Sequence, residues 1–150
     1  MKDKYVKLVE KYGLPSYEDL LKNFDIDLID DEDNVLKEIM KKMLSRFDYF
    51  SDQFETLLQP DSALSTMHEA SFLSVVDRKK IKHLFAKLRF LSREISIEFL
   101  NYDESKFANK INYLFAQWQV LKVDIELIFE KLRDTWTKES EIKEDRGYFG

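Results

Sequence analysis

Three stretches of this chain carry apolar residues at alternating steps of three and four, and that pattern leaves little choice of fold. The first is Leu36, Met40, Met43, Phe47, Phe50, Phe54 and Leu57. The second is Ile81, Leu84, Leu88, Leu91, Ile95 and Phe99, and the third runs Phe107, Ile111, Leu114, Trp118, Leu121, Ile125, Ile128, Leu132. Such steps put every member on one side of an α-helix and match the knobs-into-holes packing of helical bundles. Only 3 Gly and 2 Pro punctuate the 150 residues, so long helices run uninterrupted. Three long helices with short connections have to lie antiparallel. The expected fold is all-α: an antiparallel helical bundle of three long helices with shorter N-terminal and connecting helices. We expect it to occupy residues 1–139 as a single domain, followed by a charged, fraying tail over residues 140–150.

Local signals set the expected boundaries. A short amphipathic helix runs from Asp3 to Tyr12 with Tyr5, Leu8, Val9 and Tyr12 on its apolar side, and Gly13 stands where a left-handed C-cap is wanted. Ser16 is placed to cap a second short helix ending near Phe24, with Asp19 three residues on in an imperfect capping box. Residues 24–34, FDIDLIDDEDN, alternate apolar and acidic, but no second strand candidate exists to pair with them. We read them as an extended segment whose Phe24, Ile26 and Leu28 pack on the bundle. The first long helix then spans about Asp33 to Gln59 and stops at Pro60. Asp61 or Ser62 would cap a shorter helix over residues 62–74 carrying Leu64, Met67, Phe72 and Leu73. Asp77 would cap the second long helix, reaching Tyr102, and Asp103 the last, reaching about Glu139.

No reaction is spelled out. The chain has no Cys, which excludes disulfides, thiolate metal sites and Cys nucleophiles. The acidic run fails as a calcium loop in two registers: from Asp25, Ile29 falls at position five and Leu36 at twelve; from Asp30, Val35 takes the glycine position and Lys41 the twelfth. His68 and His83 lack the spacing of a zinc helix or a di-iron bundle, since Ser65 and Lys80 stand three residues before them. We expect both at the surface or its boundary. No Gly-x-Ser-x-Gly elbow and no Gly-rich phosphate loop is present. The expectation is a non-enzymatic chain with no catalytic residue, metal, cofactor or small-molecule ligand. The N-terminus lacks a signal-like apolar run, and no stretch approaches the ~18 apolar residues of a membrane span, so a cytoplasmic location is expected.

Two surfaces stand out instead. The last helix carries a second stripe, Tyr113, Ala116, Val120, Val123 and Leu127, on the side opposite the first. A helix with two apolar stripes has to be covered twice. Either the N-terminal helices supply the second cover, or a protein partner or second copy does. Tyr148 and Phe149, in the tail, are further candidates for such an interface. The second surface is a basic arc, Arg78, Lys82, Arg89 and Arg93, which can contact phosphates or an acidic partner. It can equally pair inside the bundle, where Asp48, Asp52, Glu55 and the acidic residues between Glu18 and Asp33 offer complements. The net charge of -5 and the lack of aromatics along that arc, apart from Phe85 at its edge, weigh against nucleic acid.

The segment LPSYEDLLKNFDI at residues 14–26, the Leu58–Asp61 hinge, Trp118 with Trp136, and the closing Arg146-Gly-Tyr-Phe-Gly150 together resemble a family of small archaeal proteins. That resemblance extends over nearly the whole chain. It implies an all-helical, archaeal, cytoplasmic protein of similar length without an assigned activity, and it supplies no catalytic residue to carry over.

Overall fold

The computed structural model describes residues 2–26 and 34–137. Six helices follow in order: α1 Lys2–Tyr12, α2 Tyr17–Phe24, α3 Val35–Leu58, α4 Leu64–Ser71, α5 Val75–Glu98 and α6 Glu104–Asp134. No strand occurs among the described residues. The long helices α3, α5 and α6 pack against one another as the expected antiparallel bundle. The expected cover from Leu28 and the tail residues Tyr148 and Phe149 lies outside the described residues.

The helix ends show which capping signals operate. Gly13 adopts φ +65° with its N–H bonded to the Val9 carbonyl, closing α1 in the left-handed conformation that glycine adopts without steric cost. Ser16 Oγ accepts the Asp19 N–H at 3.1 Å and caps α2, as expected. Asp103 caps α6, its Oδ1 accepting from the Lys106 N–H at 3.0 Å. Two expected caps are corrected. At α5 the cap is Ser74: its Oγ accepts the Asp77 N–H at 3.0 Å while Asp77 Oδ2 accepts the Ser74 N–H at 2.9 Å. Asp77 is thus the third helical residue of a reciprocal capping box, and α5 starts earlier than its acidic residue suggested. At α4 the N-cap is Ala63, whose N–H is tied to Asp61 Oδ1 at 2.9 Å, and the helix is shorter than expected, with Leu64 and Met67 exposed.

Contacts divide the chain into two compact units, Met1–Tyr49 with Leu88–Gln119, and Phe50–Lys87 with Val120–Gly150, so each long helix contributes to both. In the first unit, Phe24, Phe47 and Trp118 form an aromatic triangle with ring centroids 5.6–6.0 Å apart. Leu20, Met40, Met43, Leu91, Ile95, Ile111 and Leu114 are buried in the same unit. Phe24 and Ile26 are buried as the alternation suggested. In the second unit Phe129 packs on Phe50 and Phe54 at 5.6 and 5.8 Å. Leu57, Ile81, Leu84, Leu121, Ile125, Ile128 and Leu132 are buried there. The Lys80–Asp124 ion pair at 3.4 Å and the Asp77–Lys131 pair set α5 antiparallel to α6 in this unit.

Phe47→Ala is expected to cost roughly 3–5 kcal/mol, because it removes the centre of the aromatic triangle and leaves a cavity. Ser74→Ala is expected to cost about 1 kcal/mol through the lost cap. Urea unfolding of the two variants measures both.

Candidate functional site

On α6 the candidate interface residues are brought together and left open to solvent. Tyr113 and Ala116 are exposed in the first unit, and Val120, Val123 and Leu127 in the second. Exposure is 38% for Tyr113, 67% for Val120, 57% for Val123 and 51% for Leu127, so the described residues do not bury them. The expected internal cover is therefore corrected, and the reason is geometric. The N-terminal helices dock on a different row of α6. Tyr12 Oη donates to Glu104 Oε2 at 2.6 Å, Asn112 Nδ2 to the Tyr12 carbonyl at 3.1 Å, and Gln119 Nε2 to Asn23 Oδ1 at 3.3 Å. Phe115 packs on Phe24 at 6.4 Å. At ~100° per residue, the row of Glu104, Asn112, Phe115 and Gln119 lies about a quarter turn from the exposed stripe. In effect α6 has three faces: core, N-terminal dock and solvent.

The four members of the basic arc have different surroundings. Arg78 donates through Nη2 to the Ala70 carbonyl at 3.1 Å, tying the last turn of α4 to α5. Arg89 pairs with Asp48 at 3.2 Å, and that same carboxylate accepts from Ser92 Oγ at 2.9 Å. Both guanidinium groups are engaged within the fold, Arg89 with one of the acids the internal-pairing alternative expected and Arg78 with a backbone carbonyl instead, while Lys82 and Arg93 are exposed. Phe90 and Ile97 are also exposed on α5, and Leu100 in the turn that follows it.

His68 is corrected from surface to core. It is 1% exposed, its ring lies 3.9 Å from that of Trp136 and 5.0 Å from that of Phe72. Its Nε2 meets the Thr135 carbonyl at 2.9 Å, and since a carbonyl only accepts, that nitrogen carries a proton. Trp136 Nε1 donates to Glu69 Oε2 at 3.1 Å. The cluster clamps α4 onto the residues that follow α6. Its signal in the sequence was Trp136 itself, an aromatic beyond the last periodic residue. His83 is exposed, as expected. A hollow beside α4 is lined by Ser65, Thr66, Glu69 and Phe129 but not by His68. No group of three or more His, Asp or Glu among the described residues is placed to hold a metal ion.

A feature missed in the sequence lies in the first unit. Lys4, Lys7, Leu8 and Lys11 of α1, Val35 and Leu36 of α3, Tyr102 and Glu104 line a cavity of about 180 Å³. Lys4, Lys7 and Lys11 recur at steps of three and four, which was the available signal. Glu104 is held below the usual carboxylate range by hydrogen bonds from Tyr12 and Lys11. Tyr12 is raised mainly by that same bond, and burial raises Tyr102. No protein-family model, curated protein or solved structure matches the chain.

Because the folded-state pKa of Glu104 is depressed, its contribution to stability is present above the unfolded carboxylate value and lost as pH falls through the folded one. The stability difference between wild type and Glu104→Gln should hold between about pH 5 and pH 7 and shrink as pH falls below the usual carboxylate range. Thermal unfolding of both proteins across that range tests the sign.

Proposed function

We propose that this chain is a non-enzymatic protein-interaction module whose working surface is the outer face of α6. The observation that carries the reading is the exposure of Val120, Val123 and Leu127 in one row, continued along the helix by Tyr113 and Ala116. Single exposed apolar residues are ordinary, but five at bundle spacing make a continuous ridge suited to another helix.

The borders of that ridge support the reading. On one side, Asp124 and Lys131 are held by Lys80 and Asp77 of α5. On the other, Asn112 and Gln119 are held by the N-terminal helices. Flanks already fixed in the free chain lose little freedom on association, which favours binding. A polar border around an apolar centre is also how protein interfaces are built. No helix among the described residues is long and apolar enough to cross a membrane. We place the module in the cytoplasm, in keeping with its resemblance to archaeal helical proteins.

The test is the double variant Val120→Glu, Val123→Glu. Both positions are exposed, so its unfolding free energy should stay within about 1 kcal/mol of wild type. Chemical crosslinking and affinity capture in the native extract should show a partner or self-association that the variant loses. Identical capture and identical sedimentation by the two folded proteins would defeat the reading.

A further inference from the structure

We propose that the outer face of α5 is a second working surface, one that lays the molecule on an anionic lipid bilayer without crossing it. It stands apart from the α6 ridge, and neither surface needs the other. The observation behind it is a bias of charge: no residue that α5 exposes is acidic. The other long helices expose Asp52 and Glu55 on α3 and Glu126, Glu130 and Asp134 on α6, and the formal net charge of the chain is -5.

Two kinds of side chain share the face. Lys79, Lys82 and Arg93 supply the cations. Val75, Val76, Phe90 and Ile97 stand among them, 52–74% exposed. At ~100° per residue these positions fall within about a third of a turn. Because α5 is one unbroken helix, its own geometry fixes them to one side. The acids of α5 lie at its border with α6 and are engaged there, Asp77 by Lys131, and Glu94 and Glu98 by Lys110. At the border with α3, Asp48 is engaged by Arg89.

The mixture of cation and aliphatic side chain argues for a bilayer. A nucleic-acid backbone would engage the cations but leave both valines and Ile97 in water, and α5 exposes one phenyl ring, Phe90, for stacking on bases. A protein partner would have to bury lysines between apolar contacts, and the centres of protein interfaces are depleted in lysine. An anionic bilayer meets both demands along the whole helix. Its phosphates move freely in the plane and so reach each cation, while the apolar side chains dip to the acyl boundary. Lysine stems lie along that boundary with their ammonium groups among the head groups. The acids exposed on α3 and α6 are repelled by the same surface, so the field selects α5 as the contact.

The full chain is used for the test, so that its acidic segment at 27–33 and its tail at 138–150 compete with the bilayer for the face. Binding is read by flotation with vesicles of phosphatidylcholine alone and of phosphatidylcholine mixed with phosphatidylglycerol. The mixed vesicles should be bound more tightly by about tenfold or more, and salt should erode that preference. The variant Lys79→Glu, Arg93→Glu should bind the mixed vesicles more weakly by about tenfold or more. Phe90→Gln, Ile97→Gln should weaken binding as well, through the lost apolar contact. All four positions are exposed, so both variants should keep the wild-type melting curve. Wild type is also titrated with duplex DNA and with polyglutamate, which stand in for the two rival partners. No retention by the mixed vesicles, equal retention by phosphatidylcholine, or tighter binding to DNA or polyglutamate would each overturn the proposal. So would undiminished binding by either folded variant.

Discussion

The eight-residue stripe of α6 from Phe107 to Leu132 has to be withdrawn from water along its whole length, and the other elements are arranged by that demand. Each of the eight is at most 5% exposed. In the first unit Trp118 is met by Phe47 of α3 and Phe24 of α2, so a short helix with little stability of its own is recruited by an aromatic contact. In the second unit Phe50 and Phe54 meet Phe129, one step off the stripe. An eight-residue helix such as α2 or α4 is marginal in isolation. Here α2 persists because α6 offers it an ordered surface, and α4 because the residues that follow α6 hold it.

Polar contacts then fix what apolar burial leaves loose. Hydrophobic attraction has no direction, so it does not select rotation of one helix against another. Asp48, accepting from Arg89 and Ser92 together, sets the rotation of α3 against α5 in the first unit. Lys110, against Glu94 and Glu98, does the same for α6. Exposed ion pairs contribute little energy, and their value here lies in register. In the second unit Asp77 accepts from both Lys131 and the Ser74 N–H, so one carboxylate completes the capping box that Ser74 opens and orients α5 to α6. Its pKa is lowered chiefly by the Lys131 bond.

Most of the fold was legible because its signals are local. The stripes of α3, α5 and α6, Gly13 as a C-cap, and Ser16 and Asp103 as N-caps depend on residues within four positions of one another. The misplaced starts of α4 and α5 came from reading the acidic residue as the cap where Ala63 and Ser74 occupy that position. His68 was misjudged for a different reason: its partners Thr135 and Trp136 lie 67 and 68 residues away, and no spacing rule connects them. The lysine cavity was missed on the same ground, since Lys4, Val35 and Tyr102 meet only in the fold. The exposed stripe was legible as a pattern but not as a surface. Its fate depended on which row of α6 the N-terminal helices chose, and Asn112, Phe115 and Gln119 made that choice through contacts invisible in the sequence.

The size of the outer α6 face sets the strength of what it can do. Fully burying an exposed Val or Leu is worth roughly 1.5–3 kcal/mol, so side chains starting about half exposed gain about 1 kcal/mol each. Tyr113, Val120, Val123 and Leu127 together then supply about 4 kcal/mol, and a matching partner ridge about as much again. Association costs an estimated 4–15 kcal/mol in lost translational and rotational freedom. The two quantities nearly cancel. A bare helix laid against this ridge would dissociate readily, and lasting assembly requires a partner that also contacts the polar borders. The ridge therefore suits reversible pairing. Its fixed flanks matter because, at this margin, each side chain already ordered in the free chain shifts the balance toward binding.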